Sequence, residues 1–159
     1  MRKRSADQSY QIQILVAKPV VVNVGRLGRF EFPAGTYVYT GSARQNLEAR
    51  VARHFSNLKK LRWHIDYLLS QEAVQVIGVK RYRESECHVN QRTSGSIPVA
   101  RFGATDCRHG CGSHLKYLGE DAPKEAIPRK AVKRSACGRT TVPRKQGEAN
   151  ESRSLRQDQ

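Results

Sequence analysis

The sequence predicts an α+β domain, a small antiparallel β-sheet flanked by helices, followed by a disordered basic tail. Residues 9–16 alternate apolar and polar side chains with the period of two that is typical of a strand. From Leu47 onward, apolar side chains recur instead with helical spacing. Beyond Leu118 only isolated apolar residues remain among charges and prolines, too few to order the segment by burial. We therefore expect a folded domain at residues 8–118 and a tail at residues 119–159.

The predicted strands are short and are separated by turns. On the first strand, one face carries Tyr10, Ile12, Ile14 and Val16. β-Branched and aromatic residues predict further strands at residues 20–24, 30–32, 36–40, 74–79 and 98–102. Glycine and proline turns between them favour hairpins, and hence an antiparallel sheet.

Three helices are predicted between and beyond these strands. The apolar stripe of the first helix runs through Leu47, Val51, Phe55, Leu58 and the stem of Arg62. Shorter helices are predicted at residues 63–69 and 84–91.

The charge of the chain predicts a polyanionic partner. Lys and Arg number 29 against 14 Asp and Glu, which gives a formal charge of +15. Most of this excess, +11, precedes residue 119 and therefore belongs to the folded part. Such a field attracts nucleic acid first and an acidic membrane second, although basic residues also serve solubility alone. No apolar run approaches the ~20 residues of a transmembrane helix. We expect a cytoplasmic protein with reduced cysteines and no membrane partner.

The transition into the first helix combines residue types that suit phosphodiester chemistry. Tyr39 precedes a tight turn at Gly41 and Ser42, and Arg50 and His54 lie four residues apart, where both can reach one anion. Hydrolysis needs a base or water-orienting group, a cation at the charged oxygens, and positioning. A tyrosine serves as the base only if nearby cations lower its pKa, and this segment supplies them. The spacing alone favours the alternative, tyrosines packed on a sheet beside a solvated basic helix.

The run YTGSARQNLEARVARHFSNL resembles the second half of the GIY-YIG nuclease signature. Residues 39–41 stand where YIG stands, Arg50 matches the helix arginine of that family, and His54 matches the histidine one turn later. The blocks WHIDYLL, Glu-Cys at residues 86–87, FGATDC and CGSHLKYL follow in order. They resemble an uncharacterised GIY-YIG-like family that is thought to bind zinc and nucleic acid. The resemblance covers roughly residues 8–118.

The resemblance also places the tyrosine of the GIY triplet. Tyr37 belongs to a GIY-like triplet but lies too close to Tyr39 to be on the preceding strand of a hairpin. Tyr10 is the better counterpart, with residues 17–34 as an enlarged connection. Gln8 then replaces the expected glycine.

The activity that the resemblance implies is metal-dependent hydrolysis of a nucleic-acid phosphodiester, with DNA favoured over RNA. Tyr10 and Tyr39 would position and deprotonate the water. Arg50 and His54 would hold the phosphate, and Glu86 would carry Mg²⁺ or Mn²⁺ as a single carboxylate. Without the resemblance, Glu86 would be read as a surface helix residue.

A group of cysteines and a histidine predicts a second metal site. Cys107 and Cys111 have C-x3-C spacing, His114 follows three residues later, and Cys87 can supply a fourth ligand for a structural Zn²⁺. Because this spacing is acceptable rather than diagnostic, buried reduced thiols beside a surface histidine are an equal alternative.

Contacts to nucleic acid are expected from four basic residues, Arg44, Arg53, Lys59 and Lys60. A zinc-stabilised nucleic-acid-binding module without catalysis is the second functional hypothesis. A basic interaction protein with a different partner is the third.

Overall fold

The computed structural model describes residues 8–43 and 45–120 of the protein. Arg44 and nearly all of the predicted tail lie outside these residues, so the domain boundary stays a prediction. Among the described helices, none combines the length and apolar character needed to span a bilayer.

The described residues form an α+β fold, as the sequence predicts. The elements in chain order are β1 (Ser9–Val16), β2 (Val20–Asn23), β3 (Arg29–Phe32), β4 (Gly35–Ser42), α1 (Leu47–His54), α2 (His64–Leu69), β5 (Val74–Tyr82), α3 (Glu86–Gln91) and β6 (Leu115–Gly119), with a 3-10 turn at Gly25–Leu27.

β1 lies inside a four-stranded antiparallel sheet with the order β5-β1-β4-β6. The predicted inward face of β1 is confirmed, because none of its four side chains is more than 2% exposed. They form one core with residues from the other layers, including Phe32, Tyr37, Leu68 and Phe102. Because β1 is paired on both edges and buried on this face, it holds the side chains near its ends in fixed positions.

The connection between β1 and β4 is a second, two-stranded sheet made of β2 and β3. Val22, Val24 and Phe32 on this hairpin are buried in the main core. This agrees with an enlarged connection at residues 17–34, and it leaves Tyr10 directly opposite Gly41 in the β1–β4 register.

The predicted length of the first helix is wrong. α1 ends at His54, where the N–H groups of Phe55 and Ser56 bond back to the carbonyls of Ala52 and Arg53. Phe55 and Leu58, expected on the apolar stripe, are instead 54% and 97% exposed. Helical spacing continued in the sequence, but long-range contacts of the following loop end the helix.

Two further differences concern residues 98–102 and β6. The predicted strand at residues 98–102 consists of bends and turns. β6 was not predicted, because its five residues follow a glycine-rich Cys/His segment without a clear alternating pattern. It pairs with β4 and buries Leu115 completely.

Candidate active site and metal centre

A cleft of about 580 Å³ opens where β1 and β4 approach α1 and α3. Four of the five predicted catalytic residues line it: Tyr10, Tyr39, Arg50 and Glu86. The fifth, His54, lies behind Tyr10 and is only 3% exposed. The fold thus brings together residues that are up to 76 positions apart in the sequence, as Tyr10 and Glu86 are.

The Tyr10 hydroxyl lies 2.7 Å from Nε2 of His54. The tyrosine ring passes directly over Gly41, where an added Cβ would come within 2.6 Å of both Cζ and the hydroxyl oxygen. Such an approach is far inside van der Waals contact, so only glycine fits at this position of β4. Gly41, two residues after Tyr39, therefore makes room for the tyrosine of the neighbouring strand.

Tyr39 stands beside this pair and is buried as well. Its ring packs edge-on against Phe102 and His54. Gly103 allows this packing, because a Cβ there would meet the Tyr39 ring at 2.8 Å. Gly103 was not identified from the sequence as a site residue, although a glycine beside an aromatic residue is a usable signal for close approach.

The expected lowering of the tyrosine pKa values is wrong. Burial raises the pKa of both Tyr10 and Tyr39 well above the ordinary value, and the charge of Arg50 offsets only part of this effect. Burial, together with the charge of Lys59, lowers the pKa of His54 to about 4. At neutral pH both tyrosines are protonated and His54 is uncharged. In the tautomer with the proton on Nδ1, Tyr10 donates its hydroxyl hydrogen to Nε2.

Arg50 is the cation that faces the cleft. Its Nη1 donates to the carbonyl oxygen of Ser42 at 2.9 Å, and its guanidinium lies 4.9 Å from the centre of the Trp63 ring. These contacts fix the side chain while leaving most of its five N–H donors free for an anion.

Arg53 and Lys59 have intramolecular partners. Arg53 pairs with the buried carboxylate of Asp66 at 2.6 Å, and the Lys59 ammonium lies 3.8 Å from the same group. Lys59 also donates to the carbonyls that end α1, at Arg53 and His54. Of the predicted nucleic-acid contacts in the described chain, Lys60 alone has an exposed side chain.

Glu86 lies in the first turn of α3, between the other catalytic candidates and the cysteines. Ser85 caps this helix by accepting the N–H of His88. Ser42 donates its hydroxyl hydrogen to Oε2 of Glu86 at 2.7 Å, and Oε1 lies 3.0 Å from Nδ1 of His114. The Glu86 side chain remains 23% exposed to the cleft. Ser42 was missed as a partner of this carboxylate.

The four predicted ligands Cys87, Cys107, Cys111 and His114 come together on the adjoining wall. Their candidate ligand atoms all lie within 4.8 Å of one another. The Sγ atoms of Cys87 and Cys107 are 3.7 Å apart, close to the ~3.8 Å that a tetrahedral centre with 2.3 Å Zn–S bonds requires. This group can hold a metal ion, and its donor set suits zinc.

His114 supports this conclusion. It is 3% exposed, so the alternative of a surface histidine is wrong, and neither of its buried ring nitrogens makes a well-formed hydrogen bond. With Nδ1 directed at Glu86, Nε2 is the nitrogen left for a metal. A ligating histidine commonly donates its other N–H to a carboxylate in this way.

The thiols of the group differ in acidity even without a metal. Burial opposes ionisation of Cys107, but backbone N–H groups at Cys111 and His109 and the imidazole of His114 lower its pKa to about 6. Burial and the neighbouring thiols raise the pKa of Cys87 to about 12. Cys107 is therefore the more readily ionised of these two thiols, and its thiolate would be a ligand for a metal ion.

Comparison with known proteins identifies a family for this chain. Residues 9–137 match the family model described as domain of unknown function DUF123. Neither the curated proteins nor the solved structures contain a significant match. Since the family match spans most of the sequence, the chain belongs to DUF123, a GIY-YIG-like family.

Proposed function

We propose that this protein is a metal-dependent nuclease that hydrolyses phosphodiester bonds of DNA. The observation that carries the proposal is the convergence of the Tyr10–His54 pair, Arg50 and Glu86 in and around one cleft. A tyrosine–imidazole pair, a fixed guanidinium and a partly exposed carboxylate are the groups that a charged phosphodiester needs.

Arg50 binds the phosphate in this proposal. Its position is held by Ser42 and Trp63 before substrate arrives, so little ordering is needed on binding. The net charge of +15 adds a long-range attraction for a polyanion.

Tyr10 and His54 orient and deprotonate the attacking water. Because the pKa of Tyr10 is raised, a free tyrosinate is not the base. Instead, Tyr10 accepts a proton from the water as it passes its own to Nε2 of His54. The neutral imidazole is ready to accept at physiological pH, and negative charge developing in the cleft favours its protonation.

Glu86 is the carboxylate for a catalytic divalent cation. Both of its oxygens have a protein partner, but each carboxylate oxygen has two acceptor positions, and the group is open to the cleft. A hydrated Mg²⁺ or Mn²⁺ fits a single carboxylate of this kind and would supply positive charge at the phosphate oxygens.

The second candidate function is a zinc-stabilised module that binds nucleic acid without cleaving it. The engagement of both Glu86 oxygens favours this candidate, since a carboxylate held by Ser42 and His114 is what a structural zinc site uses to orient its histidine.

A cleavage assay distinguishes the two functions. Labelled duplex, branched and single-stranded DNA and RNA are incubated with Mg²⁺ or Mn²⁺ and the native chain, Glu86→Gln or Glu84→Gln. Glu84 is a matched control, two residues away and paired with Arg92 on the surface. A nuclease loses cleavage by at least about 100-fold in Glu86→Gln while still binding DNA. Binding without cleavage on every substrate supports the non-catalytic module.

A further inference from the structure

An exposed leucine projects from the loop of residues 55–63, which joins α1 to α2. Leu58 is 97% exposed, and Phe55 and Leu61, three residues before and after it in the sequence, are 54% and 42% exposed. Clustered large apolar side chains on a surface mark an interaction site more often than isolated ones do.

Hydrogen bonds fix this loop in shape at both ends. Asp66 Oδ2 accepts the backbone N–H groups of Arg62 and Trp63 at 2.9 and 3.0 Å. Lys59 closes the start of the loop by donating to the last carbonyls of α1. The Leu58 N–H bonds to Oγ of Ser56 at 3.3 Å. The loop therefore presents Leu58 in an ordered conformation, which lowers the entropy cost of binding.

The surroundings of Leu58 are strongly basic. It lines a groove of about 380 Å³ together with Arg53, Ser56, Lys59, Lys60 and Arg62. From residue 49 to residue 65 the sequence contains no Asp or Glu. The buried carboxylate of Asp66 pairs with Arg53 and Lys59, and Lys60 and Arg62 are the two other cations of the groove. An exposed leucine flanked by cations is complementary to nucleic acid, in which apolar stacked bases lie between anionic backbones.

The loop is also continuous with the cleft. It begins directly after His54 and ends at Trp63, which lines the cleft and has the guanidiniums of Arg50 and Arg53 at 4.9 and 4.5 Å from its ring centre. A nucleic-acid backbone held at Arg50 would therefore lie next to the end of this loop at Trp63. This continuity favours nucleic acid over a lipid surface, for which so small an apolar cluster gives little anchoring.

We propose that residues 55–62 form a wedge that inserts Leu58 between stacked bases of DNA while Lys60 and Arg62 hold the backbone. The preferred substrate is then DNA whose stacking is already interrupted, as at a bulge, mismatch or branch, because unstacking costs less there. This inference rests on the proposed function and narrows its substrate class.

The test compares Leu58→Ala with Val21→Ala, which shortens a 51% exposed apolar side chain on the β2–β3 hairpin. DNA binding is measured by fluorescence anisotropy without divalent metal, on a perfect duplex and on one with a single unpaired nucleotide. A 2-aminopurine beside the unpaired position reports unstacking. We expect the native chain to prefer the bulged duplex and Leu58→Ala to lose about tenfold in affinity for it, together with the fluorescence rise. Val21→Ala should behave as the native chain does.

Three outcomes overturn the wedge. If native protein and Leu58→Ala bind the bulged duplex equally, and cleave it equally once Mg²⁺ or Mn²⁺ is added, the wedge is wrong and the nuclease proposal stands. If the native chain binds no DNA at all, the wedge and the nuclease proposal fail together. If Leu58→Ala loses binding to phosphatidylserine vesicles but not to DNA, the loop is a lipid-binding element.

Discussion

Oε1 of Glu86 and Nδ1 of His114 lie 3.0 Å apart, and this contact joins the cysteine–histidine group to the cleft. The carboxylate on α3 is also bonded to Ser42 at the end of β4. Glu86, the carboxylate predicted to carry the catalytic metal, thus also contacts a predicted zinc ligand, and we expect a change at one metal site to affect the other through this side chain.

Replacing Glu86 by glutamine should weaken zinc binding. The amide no longer stabilises the imidazole N–H of His114 with a negative charge, and loss of such a partner lowers metal affinity about 10- to 100-fold. Competition with a chromophoric chelator measures the affinity, with Glu84→Gln as the control. Equal zinc affinity in all three proteins would exclude Glu86 as the partner of a zinc ligand.

Removing the hydroxyl of Tyr10 should reduce the cleavage rate strongly and the stability of the fold only slightly. Tyr10→Phe keeps the buried ring but loses the hydrogen bond to His54, so we expect about 1 kcal/mol of destabilisation and a loss of cleavage of about 100-fold. Tyr37→Phe is a matched control, because Tyr37 is buried on β4 and donates to the Pro33 carbonyl. Urea unfolding and cleavage rates measure both effects. Equal cleavage by the two variants would remove Tyr10 from the mechanism.

Gly41→Ala should destabilise the fold through a clash with the Tyr10 ring. The new Cβ would lie 2.6 Å from Tyr10, and such overpacking costs about 1–3 kcal/mol. In a Tyr10→Ala background the same change should be neutral or stabilising, since glycine inside a strand is unfavourable. Urea unfolding of the single and double variants gives the interaction energy. Additive effects would contradict the clash.

Stability should fall on acidification because of His54. Its pKa is about 4 in the folded state, against 6.5 for an unperturbed histidine. Between these values the unfolded chain binds a proton that the native site excludes, so stability decreases as pH falls through this window, by on the order of 2–3 kcal/mol. Urea unfolding from pH 7 to pH 4 checks this expectation. His54→Gln should show a shallower dependence, and an unchanged slope would assign the acid sensitivity to other groups.

Local patterns predicted much of the sheet but not the end of the first helix. The alternation at Tyr10, Ile12 and Ile14 is a property of neighbours in sequence, and β1 follows it. The helix end depends instead on Asp66, which fixes the loop by pairing with Arg53 across thirteen positions. Periodicity carries no information about such a contact.

The candidate site, too, was predictable in part: the identity of its residues could be predicted, but their protonation could not. The resemblance to GIY-YIG nucleases named Tyr10, Tyr39, Arg50 and Glu86, and the structure brings these residues to one cleft. Their protonation could not be predicted, because the burial that raises the pKa of Tyr10 comes from packing across β1, β4 and α1. Counting nearby cations in the sequence gave the wrong direction.

β1 is hydrogen-bonded along both edges, to β4 and to β5, over most of its length. β1 is therefore not an edge strand that can fray and carry Tyr10 out of the cleft. We expect the Tyr10 amide to exchange with solvent only when the sheet opens. The other walls come from segments distant in sequence that meet only across this sheet. We therefore expect the cleft to form as one cooperative unit during folding, and a fragment without β5 to lose it.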